Sequence, residues 1–179
     1  MMRTARALLP VLLLPLLLAG CGTEKQSGTA AGLDEAAETW GVDPDLVYVT
    51  DAPGFTVFPE SVGKYEFNQF VAAYRSDKGS LRFGLFSEFD TLTADNCADH
   101  PAGTDKAKPV TCEQDGDAWY RTIGVSHEYA VPRDGVVIRL SADPEKVDRA
   151  TLRKAAEAVH RPDDNELAAL LSTTHGTGT

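Results

Sequence analysis

Several side chains in this sequence of 179 residues have types and spacings that could do chemistry. Cys97 and Cys112 enclose a stretch rich in Gly, Pro and Asp. In an exported chain such a pair reads as a disulfide closing a loop of about 15 residues. The chain-entropy account gives that closure about 3 kcal/mol of stabilisation. The competing chemistry is zinc binding, because His100 follows Cys97 by three positions with Asp99 alongside. No second Cys-x-x-Cys or Cys-x-x-His pair accompanies it, so the disulfide is expected and no metal site is assigned. Ser126-His127-Glu128 places the residue types of a hydrolytic triad in a row. Neighbouring strand residues point to opposite faces, however, so adjacency works against a nucleophile bonded to its base. The sequence carries no Gly-x-Ser-x-Gly elbow, no phosphate-cradling Gly loop and no His-Glu-x-x-His, and no catalytic residue or cofactor is assigned. Two acidic groups, Asp90 with Asp95 and Asp99, and Glu113 with Asp115 and Asp117, lack calcium-loop spacing and read as solvated turns. Among the aromatic residues, Phe86 and Tyr120 are the candidates for stacking on a ligand. Against them stands the commoner fate of strand aromatics, which is packing in a core.

The elements that must position these residues are mostly strands. Residues 46–50 and 55–58 flank Asp51-Ala52-Pro53-Gly54, whose Pro-Gly pair favours a type II turn and predicts a first hairpin. Residues 67–75 and 80–89 flank Ser76-Asp77-Lys78-Gly79, and Leu81, Phe83 and Leu85 alternate with Arg82, Gly84 and Phe86 as in a half-buried strand. Residues 110–114 and 117–125 enclose Asp115-Gly116, a pair suited to a two-residue hairpin turn. Residues 128–131 then lead through Pro132-Arg133-Asp134-Gly135 into the alternating run 136–140. Helices are predicted at the ends. A short one spans 33–40 and stops at Gly41; a firmer one spans 148–160, with Leu152, Ala155, Ala156 and Val159 on one face and Asp143 or Asp148 as its cap. A last amphipathic turn or two carries Leu167, Leu170 and Leu171. The fold class is α+β: a mostly antiparallel sheet of hairpins with a C-terminal helix packed on one face, forming one domain over 33–171.

The N-terminal segment gives an address. Arg3 and Arg6 precede an apolar run over 7–18 that is long enough for a secretory signal, too short to span a bilayer, and interrupted by Pro10 and Pro15. Leu18-Ala19-Gly20-Cys21 follows. These four residues resemble the lipobox of bacterial lipoprotein precursors. The resemblance covers this segment alone, and it implies cleavage of residues 1–20, lipid on the Cys21 thiol and Cys21 as the first residue of the mature chain. Residues 21–32, free of apolar periodicity after Cys21, read as a flexible tether, and 172–179 as a disordered tail. The layout of the whole chain is similar to that of exported lipoproteins of actinomycetes, a similarity that names no activity.

Charge limits the partners. Losing two of the 17 basic residues and none of the 27 acidic ones takes the net charge from −10 to −12 on maturation. A basic patch able to hold nucleic acid is not expected on such a chain. Lys146, Arg149, Arg153 and Lys154 do gather on the predicted helix, where they read as a solvated face, with partner binding as the alternative. The expected function is that of a non-enzymatic envelope lipoprotein, held at the membrane through Cys21, that binds an envelope protein, a wall component or a small ligand. The alternative is an envelope hydrolase whose site only the folded chain assembles.

Overall fold

A computed structural model of the chain describes residues 29–66, 68–80, 82–103, 109 and 111–171. The signal segment, Cys21, the tether as far as residue 28 and the tail 172–179 lie outside the described residues. Helix α1 (Ala30–Trp40) starts three residues before the predicted onset because Thr29 caps it, its Oγ1 accepting from the Gly32 N–H. Ala30 to Gly32 are therefore helix rather than tether. Gly41, at φ 69°, ends α1 in the left-handed conformation that glycine adopts without steric cost.

Seven strands form one antiparallel sheet in the order β2 (Phe55–Tyr65), β3 (Gln69–Ser76), β4 (Arg82–Phe89), β8 (Val136–Ala142), β7 (Ser126–Arg133), β6 (Ala118–Ile123) and β5 (Thr111–Asp115). The turns explain the hairpins. Asp134 and Gly135, both at positive φ, join β7 to β8 with Arg133 opposite Val136, the two-residue geometry that suits the right-handed twist of paired strands. The β5–β6 turn is Gly116-Asp117, one residue later than the sequence suggested. Asp115 pairs with Ala118, and only Gly116 takes positive φ, so Asp115 ends a strand instead of making the bend.

The first predicted hairpin does not form. The turn itself does, with the Phe55 N–H donating to the Ala52 carbonyl and Gly54 at φ 78°. The strand before it, β1 (Val49–Thr50), pairs instead with β9 (Val159–His160). Helix α2 (Arg149–Glu157) accordingly stops short of the predicted end at 160, and Val159 and His160 are extended. Its cap is Asp148, which accepts from the Thr151 N–H at 2.7 Å. Strand β2 runs far past Phe58 through an irregularity between Phe58 and Gly63. There Ser61 Oγ accepts from the Ala73 N–H and donates to the Phe58 carbonyl, holding the register.

The helices cover one face of the sheet. Phe70, Ala72 and Tyr74 of β3, Phe83 and Leu85 of β4, Val136, Ile138 and Leu140 of β8 and Tyr129 and Val131 of β7 join Leu152, Ala155 and Ala156 of α2 in the main core, with Leu167 and Leu170 from helix α3 (Asp164–Leu171). On the other face, a segment following β4 lays Leu92 and Cys97 over Ala130, Val137 and Trp119. The disulfide between Cys97 and Cys112, with Cα atoms 6.1 Å apart, ties this segment to β5. Strand β8 is therefore buried on both faces, not alternately exposed, and an arginine sits inside it.

Candidate functional site

That arginine, Arg139, belongs to a row of charges under the disulfide-tied segment. Glu88 of β4, Arg139 of β8, and Glu128 and Arg121 of β7 and β6 all point to the second face, because the register sets Arg121 opposite Glu128 and Phe86 opposite Arg139. Glu128 and Arg121 are wholly buried and ion-paired with each other. Arg139 stands 3.1 Å from Glu88 and 3.9 Å from Glu128. Gln69 donates to Glu88. The covering segment completes the row with backbone groups: the Gly103 N–H donates to Glu128, the Gly103 carbonyl accepts from Arg139, and the His100 carbonyl accepts from Arg121. Burial pulls the Arg121 guanidinium below its ordinary range, and the Glu128 carboxylate opposes that pull. Such a row fixes the segment over the sheet and leaves little room for a ligand. The cavity beside it, between Asp90, His100 and Arg139, measures only about 90 Å³.

The residues singled out by type disperse over this frame. Cys97 and Cys112 are disulfide-bonded, so their sulfurs are committed to each other and not to a metal. His100 instead meets Asp90 at 2.8 Å and the Pro101 carbonyl at 2.9 Å. Strand alternation sends His127 to the helix face and Glu128 to the other. His127 Nε2 donates to the Val147 carbonyl at 2.8 Å, which leaves Nδ1 to accept from the Tyr120 hydroxyl at 3.1 Å, and burial holds its pKa below the ordinary imidazole value. Phe86 and Tyr120 also lie on opposite faces. Phe86 packs edge-on to Tyr65 and over Gly84, where an added Cβ would come within 2.7 Å of the ring. Tyr120 packs against Tyr129 and beneath Arg149, whose guanidinium carbon lies 3.9 Å from the ring centre. The basic cluster at and before α2 is largely engaged by the chain itself. Arg149 binds both Glu113 oxygens, Asp115 and the Tyr129 hydroxyl; Arg153 pairs with Asp115 and Glu157, and Lys146 with Asp143. The acidic group around residue 115 is thus the counter-charge that docks α2 on the sheet.

Two open recesses lie away from this row: one of about 540 Å³ lined by Phe86, Gly84, Ser141 and Lys146, and a more apolar one beside β1, which pairs outside the seven-stranded sheet. Strand β1 pairs with β9 and is joined to β2 through the Ala52–Phe55 turn, and α3 stands against β2 beside them. The recess beside β1 measures about 420 Å³. Val49, Phe55, Val57 and Leu170 give it an apolar body, and Tyr74 lies in its wall, stacked on Phe83 with 4.8 Å between ring centres. The Tyr74 hydroxyl accepts from the Thr50 N–H, and burial together with the Asp51 and Glu166 charges raises its pKa well above the ordinary phenol value. The lining includes Asp51 and Glu166 and no basic side chain.

Beside this recess Asp51, His160 and Glu166 each bring a donor atom within 4.8 Å of the others. Asp51 comes from the turn after β1, His160 from β9, and Glu166 from the first turn of α3, where it forms a reciprocal cap. The Glu166 N–H donates to Asp163 Oδ1, and the Asp163 N–H donates to Glu166 Oε2, both at 2.8 Å. None of the three stands out in the sequence: Asp51 sits in a turn segment and His160 at the end of a helical apolar stripe, and only the Asp163-x-x-Glu166 spacing, a helix-start signal, marks the third. Compared with protein-family models, with curated proteins and with solved structures, the chain finds no match.

Proposed function

We propose that this protein is a lipid-anchored, extracytoplasmic binding module that takes a small, largely apolar ligand into the recess between β1, β2 and α3. The observation that carries the reading is the recess itself: at about 420 Å³ it falls in the size range of small-molecule sites, with an apolar lining and a few convergent polar groups. The Leu18-Ala19-Gly20-Cys21 sequence supports the anchor, and residues 22–28 would give the domain reach from the membrane surface.

The test is native mass spectrometry of the protein recovered from its own envelope under mild detergent. A small-molecule adduct is expected, and it should be lost in Ala169→Trp, which projects an indole from an exposed position of α3 into the recess. An adduct unaffected by Ala169→Trp, or displaced only by substitutions at Phe86 or Tyr120, would place the site elsewhere. No adduct at all, together with no thermal shift from a panel of envelope lipid and wall fragments, would refute a ligand-binding role.

A further inference from the structure

We infer that Asp51, His160 and Glu166 form a site for a divalent transition-metal ion, Zn²⁺ by their chemistry, with one coordination position open toward the recess. This goes beyond the ligand-binding reading and holds whether or not an organic molecule fills the cavity.

The donor set comes first. One imidazole nitrogen with two carboxylates is a mixed nitrogen and oxygen set; the imidazole favours zinc and its neighbours over Ca²⁺ and Mg²⁺, which prefer oxygen alone. Three protein ligands are the number found in zinc sites that keep a fourth position for water or ligand, whereas closed structural sites use four. Geometry comes next. Two donors at about 2.0–2.2 Å from a tetrahedral ion stand about 3.4 Å apart. His160 Nε2 is already 3.0 Å and 3.2 Å from the Glu166 oxygens, and Asp51 lies within 4.8 Å. Small side-chain adjustments would bring all three onto one ion.

Second-sphere contacts orient the set for that purpose. His160 Nδ1 lies 2.8 Å from the Ala158 carbonyl, so its proton points there and Nε2 is turned toward the two acids. A backbone carbonyl on the far nitrogen is the usual way proteins fix the tautomer and ring plane of a metal-binding histidine. The cap bond from the Asp163 N–H holds Glu166 Oε2, and Oε1 faces His160 Nε2 at 3.0 Å. The adjacent base takes no part. Arg161 is drawn away to the Asp45 and Pro44 carbonyls and over Tyr48. All three ligands are exposed or half-buried, so an ion can enter from solvent. Asp51 directly follows β1 and His160 lies in β9, the two strands joined with Val49 opposite His160, so the pairing that the turn signals did not foretell also brings these two ligands together.

The test is isothermal titration of Zn²⁺ into the full chain carrying Cys21→Ser, so that no free thiol competes. One ion per chain is expected, with millimolar Mg²⁺ or Ca²⁺ unable to displace it and Co²⁺ giving the visible absorption of a four-coordinate site. His160→Ala should weaken binding by about 100-fold. Asp51→Asn and Glu166→Gln should each weaken it at least tenfold. Glu166→Gln keeps an acceptor for the Asp163 N–H, so α3 stays capped and the far-ultraviolet circular dichroism unchanged; that variant separates lost ligation from lost folding. His100→Ala, which removes the histidine beside the disulfide, should leave binding unchanged. Absence of stoichiometric zinc, or affinity lost in His100→Ala and kept in Glu166→Gln and His160→Ala, overturns the proposal.

Discussion

Glu128→Ala isolates the energetics of the charge row most cleanly. In the folded protein Arg121 and Glu128 have no exposed side-chain area, and removing Glu128 leaves the Arg121 guanidinium buried without its carboxylate. It also leaves the Gly103 N–H without its acceptor. An uncompensated buried charge typically costs about 3–5 kcal/mol. Total stability for a domain is only about 5–15 kcal/mol, so the variant should be folded but marginal. At roughly 3–5 °C per kcal/mol for a domain of this size, its melting temperature should fall by about 10–20 °C. The double replacement Arg121→Met with Glu128→Leu removes both charges and refills the volume. It forfeits the backbone partners at Gly103 and His100, each worth about 1 kcal/mol, and the longer contact of Glu128 with Arg139, which keeps Glu88 and the Gly103 carbonyl, so it should be more stable than the single variant. Urea denaturation of the disulfide-intact protein, with both midpoint and slope fitted, measures all three chains. If Glu128→Ala costs under about 1 kcal/mol, or the double variant is less stable than the single one, Glu128 does not compensate a buried Arg121 charge and the reasoning fails.

Other outcomes follow from the same structure. Cys21→Ser should abolish fatty-acid labelling and leave the protein uncleaved or released; labelling unchanged in that variant refutes the lipobox reading. Unreduced protein should show no reactive thiol at Cys97 or Cys112, and replacing both by Ser should lower stability by about 3 kcal/mol while the strands stay folded, as circular dichroism and urea titration will report. Burial holds His127 below the ordinary imidazole pKa, so the unfolded chain takes up a proton first as the pH drops past about 6.5. Unfolding free energy should therefore fall between pH 7 and 5.5, and His127→Gln should flatten that slope, a steeper or unchanged slope counting against it. Glu113, Asp115, Asp143 and Asp148 have depressed carboxyl pKa values, led by bonds from Arg149, Tyr129, the Glu145 N–H and the Thr151 N–H respectively. Their contribution is present above about pH 4 and is lost in a separate, more acidic step, visible as a second phase in an acid titration.

The parts of the fold that could be read from the sequence were those written in neighbouring residues. Turn glycines at 116 and 135 and the alternation around Phe83 and Leu85 act over a few positions, and the hairpins stand where those signals put them, to within one residue at Gly116. What could not be read depends on partners distant in the chain. Val49 and Thr50 have strand propensity but nothing local says that their partners are Val159 and His160, more than a hundred residues away, and Val159 fits a helical apolar stripe equally well. Arg121, Glu128 and Arg139 illustrate a second obstacle. A charged residue in an alternating strand reads as part of a solvent face, and the segment tied down by the Cys97–Cys112 disulfide turns that face into an interior. The two obstacles bear differently on function. Misreading a solvent face moves charges into a core and alters stability; missing the β1 and β9 pairing hides the recess and the Asp51, His160 and Glu166 cluster together, since both lie beside that pair. In this chain a long-range strand pair that local signals leave unspecified borders both an apolar recess and the Asp51, His160 and Glu166 cluster, so residues that no turn signal connects can still share one site.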